Sequence, residues 1–108
     1  MSEKIIMLAC AAGMSTSLLV QKIQQVAEKQ NKNYTIFAKS TSDIDTQLNS
    51  DNIPNVVLLG PQVSYLKAEV QSKTDAKNIP MAVIPMVDYG MMNGEKVLEL
   101  AENLMGVE

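Results

Sequence analysis

The sequence predicts an α/β fold: a four-stranded parallel sheet in the order 2-1-3-4, with helices on both faces. Three observations lead there. Short apolar runs at 5–10, 34–39, 56–59 and 81–84 are each followed by a longer amphipathic stretch. Strands separated by helices pair in parallel through right-handed crossovers. The first, third and fourth runs are apolar throughout, as strands covered on both faces must be, while the second alternates.

The elements follow in order. Ile5 to Cys10 is the first strand. Ser15 to about Gln30 is a helix with Leu18, Leu19, Ile23, Val26 and Ala27 on one face and Gln and Lys on the other. Asn31 to Asn33 turns the chain into the second strand, Tyr34 to Lys39. Thr41 or Ser42 then caps a short helix that anchors through Ile44 and Leu48. Val56 to Leu59 is the third strand, ended by Gly60. Pro61 takes the first position of the next helix, where its missing N–H costs nothing. That helix runs to about Lys77 and turns Val63, Leu66 and Val70 inward. Met81 to Ile84 is the fourth strand, closed by Pro85. A last helix from Asn93 or Gly94 buries Val97, Leu98, Ala101, Leu104 and Met105.

With 108 residues and no long linker, internal repeat or low-complexity tract, residues 1–108 are expected to form a single domain. Hydrophobic residues at 46% against 19% charged favour a packed core over disorder. The longest apolar runs fall far short of the roughly 20 residues a membrane helix needs. No apolar leader precedes the first strand, and the one cysteine cannot form an internal disulfide, so the protein is expected in the cytoplasm. Net charge is −3, every cation is a lysine and aromatics are only 4%, which argues against nucleic acid as a partner. There is no histidine and no arginine. A metal site loses its commonest ligand, and triads built on an imidazole base are excluded.

In a sheet of order 2-1-3-4 the connections after strands 1 and 3 leave in opposite directions. A crevice opens at the carboxyl ends of those strands, and Cys10 stands there. A cysteine ending an apolar strand is often a small buried hydrophobe. Its neighbours point elsewhere. Ala11, Ala12 and Gly13 have little side chain, so backbone N–H groups can close on a ligand. Ser15, Thr16 and Ser17 then open a helix, whose N-terminus carries about half a positive charge and unpaired donors suited to phosphate. The same field favours a thiolate, the nucleophilic form of cysteine. Nucleophile and anion cradle together imply attack on a phosphoryl group to give a phosphocysteine at Cys10.

The segment "ACAAGMSTSLLVQKI", with "VVLLGPQVSYL" after the third strand and "DYG" after the fourth, resembles the IIB subunit of the lactose/cellobiose class of the bacterial phosphoenolpyruvate-dependent sugar phosphotransferase system. The likeness spans essentially the whole chain. It implies a sheet like the one derived above, of the low-molecular-weight tyrosine phosphatase kind. It also implies that Cys10 accepts phosphate from a phosphohistidine of a IIA partner and passes it to a sugar held by the membrane IIC partner. Ala11 to Ser17 then match the phosphate-binding loop, and no cofactor resides on the subunit. A β-linked disaccharide such as cellobiose or chitobiose is the favoured sugar, and a monomer is the default state.

Three rivals share parts of this pattern. A small cysteine-dependent phosphatase or an arsenate reductase wants, where Thr16 stands, an arginine that grips the equatorial oxygens of the transition state. Without that arginine the phosphocysteine is expected to hydrolyse slowly, as suits a carrier. A flavodoxin-like module would need more aromatic rings. A receiver domain would need carboxylates where Cys10 and Gly60 stand. Gly60, Pro61, Gln62 and Tyr89 are expected at the pocket rim, with Gln62 either orienting the loop or exposed and Tyr65 half core, half rim. Asp88 is expected in a loop. Met7, Met81 and Met105 fill core positions, whereas Met14 with Ala11 and Ala12 forms an apolar ring around the thiol for partner docking.

Overall fold

The computed structural model describes residues 4–10 and 14–106, the side chains of Met14 and Ser15 excepted. Its strands are β1 (Lys4–Cys10), β2 (Tyr34–Ser40), β3 (Val56–Leu59) and β4 (Met81–Val83). They form one sheet in the order β2-β1-β3-β4, every pair parallel. The helices are α1 (Met14–Lys29), α2 (Ile44–Leu48), α3 (Lys67–Asp75), α4 (Met86–Gly90) and α5 (Gly94–Met105), with 3-10 turns at Thr41–Asp43 and Pro61–Leu66. The expected strand order and the helices on both faces are what the chain adopts.

Because successive side chains point to opposite faces of a strand, β1 and β3 feed two separate cores. Ile6, Leu8, Val56 and Leu58 pack with Leu19, Ile23 and Ala27 of α1 and Val97, Leu98 and Ala101 of α5. Met7, Ala9, Val57 and Leu59 pack on the other side with Ile44, Leu48, Val63 and Val70. The two apolar helices of the first layer meet closely. A β-carbon on Gly94, at the start of α5, would stand 2.7 Å from the Lys22 carbonyl carbon of α1.

Four expectations need correction. Leu18 is 48% exposed, and Val20 takes its place in the buried stripe. At about 100° per residue Leu19, Ile23, Ala27 and Val20 fall within one arc of about 100°, and Leu18 lies about 100° outside it on the Leu19 side. The capping residue is Ser40, at the start of the 3-10 turn that leads into α2, and its Oγ accepts the Ser42 N–H at 3.3 Å. The third helix is a 3-10 segment from Pro61 that becomes α-helical at Lys67 and ends at Asp75, short of Lys77. Finally, Met86–Gly90 is a helix and not a loop, so Asp88 is helical.

Lattice-like pairing continues one residue past two strands. The Gly60 N–H donates to the Ala9 carbonyl at 2.8 Å, and the Ile84 N–H donates to the Leu59 carbonyl at 2.9 Å. The carboxyl ends of β1, β3 and β4 are thereby aligned at one edge of the sheet. Among the described residues, no helix is long and apolar enough to cross a membrane.

Candidate functional site

Cys10 is the last residue of β1 and pairs in register with Ser40 at the end of β2. By the strand alternation it shares its face with Ile6 and Leu8, the face that α1 covers. At 4% exposure it is a buried residue. Gly60 closes on it from β3. A β-carbon built on Gly60 would lie 3.3 Å from Cys10 Cβ and 3.2 Å from Gln62 Oε1. The glycine thus keeps the space beside the cysteine clear, and the Gln62 amide reaches back over the same spot from an otherwise exposed residue. Pro61 has the structural place expected of it, the first residue of the 3-10 turn.

From Cys10 the chain runs to Met14, the start of α1. The first N–H groups of a helix have no partner within it and carry the positive end of its dipole. Ala11, Ala12 and Gly13 lie outside the described residues, as do the side chains of Met14 and Ser15, so the apolar ring expected at Ala11, Ala12 and Met14 does too. Ser17 is exposed on the first turn. Thr16 is the reverse. It is 1% exposed, and its Oγ1 lies 3.0 Å from the Tyr89 hydroxyl in a buried hydrogen bond.

Tyr89, expected at an open rim, is 5% exposed and belongs to the core beside α1 and α5. Tyr65 moves the other way, at 78% exposure. With Met86, Val87 and Met91 it makes an exposed apolar set on the segments that leave β3 and β4 at the carboxyl edge. Sequence reasoning missed both the Thr16–Tyr89 bond and this set. The string "DYG" was the available signal, but five residues are too few to show a helical period.

Other features carry less chemistry. Among the described residues no group of three His, Cys, Asp or Glu is placed to hold a metal. A groove of about 460 Å³ lined by Ile5, Thr35, Phe37, Ala38, Lys39, Gln47 and Asn52 lies on the opposite face of the sheet from Cys10 and has one ionisable group. Glu102 accepts the Tyr34 hydroxyl at 2.7 Å and pairs with Lys32. Burial, followed by the hydrogen bond and charge of Glu102, pushes the Tyr34 phenol up to about 12. This cluster ties α5 to the start of β2, away from the carboxyl edge.

Residues 5–100 match the family described as "PTS system, Lactose/Cellobiose specific IIB subunit". The chain is 58% identical over 107 residues to the galactose-specific EIIB component of Lactococcus lactis subsp. cremoris, covering 97% of this chain and 99% of that one. Identity and coverage are the same for the cellobiose-specific EIIB component of Lactococcus lactis subsp. lactis. The solution structure of a cellobiose-specific phosphotransferase IIB component from Borrelia burgdorferi superposes with a TM-score of 0.80 at 42% identity, over 97% of this chain and 94% of that one. A phosphatase reading finds no support beside these, and position 16 holds a buried threonine where such an enzyme needs arginine. The chain belongs to the lactose/cellobiose-specific IIB family, the phosphotransferase components of the phosphoenolpyruvate-dependent sugar phosphotransferase system.

Proposed function

We propose that Cys10 is the residue this component phosphorylates and discharges. The thiolate attacks the phosphorus of a phosphohistidine on a IIA partner; the P–N bond breaks as the S–P bond forms. A sugar hydroxyl held by the membrane partner IIC later attacks the same phosphorus, the S–P bond breaks, and the hydroxyl proton goes to a base on IIC. Amides of the segment Ala11, Ala12, Gly13, Met14, Ser15, Thr16 and Ser17 bind the phosphoryl oxygens between the two steps. No cofactor enters either step. The observation that carries the reading is the position of the only thiol, at the end of β1, beside Gly60 and before the N-terminus of α1.

With neither arginine nor histidine in the chain, the phosphocysteine meets amide dipoles and no imidazole base to activate water, which supports slow hydrolysis. The exposed Tyr65, Met86, Val87 and Met91 are read as the contact face for IIA, because the phosphohistidine must approach the sulfur at the edge from which these segments leave. The sugar is read as a β-linked disaccharide such as cellobiose. Relatives named for galactose and for cellobiose are equally similar to this chain, in keeping with selection of the sugar by IIC. The component is read as a cytoplasmic monomer that works at the inner face of the membrane through IIC.

The test is incubation with phosphoenolpyruvate, the general phosphotransferase proteins and a cognate IIA, followed by intact-mass measurement. Wild type gains one phosphate and Cys10→Ala gains none. Equal labelling of the two proteins refutes the assignment.

A further inference from the structure

We propose that Tyr89 is a positioning residue for phosphate at Cys10: its phenol holds the Thr16 hydroxyl and thereby fixes the first turn of α1, whose amides bind the anion. The inference rests on the phosphocysteine reading of Cys10 and adds to it a residue from the far end of the sheet.

The geometry is specific. Thr16 Oγ1 and Tyr89 OH are 3.0 Å apart, both residues are buried, and 73 positions of sequence separate them. Burying a hydroxyl is unfavourable unless it finds a partner, and each of these satisfies the other. A phenylalanine at 89 and a valine at 16 would fill nearly the same space with nothing to desolvate. Packing therefore explains the ring but not its oxygen. What the bond adds is direction, because a paired hydroxyl holds one orientation where two apolar groups would tolerate several.

Tyr89 is itself well held. It lies in the core with Ile84 and Val97, and its N–H donates to the Pro85 carbonyl at 3.0 Å. Pro85 and Ile84 continue directly from β4, whose pairing with β3 extends through the Ile84 N–H. The phenol is thus referenced to the sheet, as Cys10 is. Helix ends fray easily, and an anion site made of terminal amides works only while those amides keep their aim at the nucleophile. The bond from Tyr89 to Thr16 gives the first turn of α1 and the Cys10 sulfur a common frame.

The test uses wild type, Tyr89→Phe, Thr16→Val, Thr16→Ser and the double variant Thr16→Val/Tyr89→Phe, each checked for folding by circular dichroism. One readout needs no partner protein: the concentration of inorganic phosphate that halves the rate of Cys10 alkylation by iodoacetamide. It is expected to rise about tenfold in Tyr89→Phe and in Thr16→Val, the scale of one lost hydrogen bond. The double variant is expected to be no worse than either single one, and Thr16→Ser to recover the protection that Thr16→Val loses. Phosphoryl acceptance from phosphorylated IIA is expected to slow in parallel. Folded single variants with wild-type phosphate protection, or wild-type alkylation that phosphate does not slow, overturn the positioning role. If wild type is protected by phosphate but takes none from IIA, the phosphocarrier reading falls while the contrast among variants still decides the role of Tyr89.

Discussion

Gly60 meets Cys10 so closely that a β-carbon on the glycine would stand 3.3 Å from the cysteine's own, tighter than most side-chain contacts in folded proteins. Its φ of −63° and ψ of 146° are open to any residue, so the glycine is required for space and not for backbone freedom. Gly60→Ala is therefore expected to fold with a stability change of about 1 kcal/mol or less. Phosphate uptake by Cys10, followed by intact mass over time, is expected to slow several-fold because the methyl group crowds the cysteine and the Gln62 amide.

Gly94 differs, because what a side chain would meet there is backbone. The Lys22 carbonyl carbon and oxygen and the Ile23 nitrogen would lie at 2.7, 2.8 and 2.9 Å. None of these can move without shifting α1 relative to α5. Gly94→Ala is expected to cost about 2 kcal/mol, seen as a fall in melting temperature of about 10 °C.

The Tyr34–Glu102 contact makes a prediction for alkaline pH. The phenol ionises at about 12 in the folded chain against 10.0 ordinarily, so the folded state holds the proton more tightly than the unfolded one. Its contribution to stability is whole below pH 10 and is lost as pH rises toward about 12. Urea midpoints of wild type and Tyr34→Phe should differ by a constant amount up to pH 9, and the wild-type advantage should shrink above pH 10. An advantage that grows over that range would contradict the assignment.

Thr16→Arg tests the distance between this protein and the cysteine phosphatases. The threonine is 1% exposed and its hydroxyl is engaged by Tyr89, so a guanidinium would be forced into a closed place and break a buried hydrogen bond. The variant is expected to lose about 3 kcal/mol or more. It is expected to show no hydrolysis of p-nitrophenyl phosphate in its folded fraction.

Much of this was legible in the residues alone. Four apolar runs with helices between them are enough to set a parallel sheet, and the crossover rule places Cys10 and Gly60 at one crevice on its carboxyl edge, where the structure has them in contact. Periodicity was less informative where an element is short or an apolar residue faces out. Leu18 is apolar and exposed while Val20 is buried, so apolarity alone assigns one position of the α1 stripe wrongly, and Leu19, Ile23 and Ala27 are buried as expected. In α4 only Tyr89 is buried while Met86 and Val87 are exposed, a pattern that hydrophobicity reads backwards. Ser40, Thr41 and Ser42 can all cap a helix, and only the backbone geometry selects Ser40. The bond between Thr16 and Tyr89 joins positions too distant in sequence for any local rule to pair them.

The sheet also divides the molecule for the experimenter. Ile6, Leu8 and Cys10 look toward α1, whereas α2 rests on Met7, Ala9 and their neighbours across the sheet. Asn49 and Asp51, exposed just beyond α2, are therefore screened from the thiol by a full layer of backbone. A fluorescent protein or affinity handle grafted between them would leave the sulfur's own side of the sheet untouched, so that this phosphotransferase component could be labelled without covering Cys10.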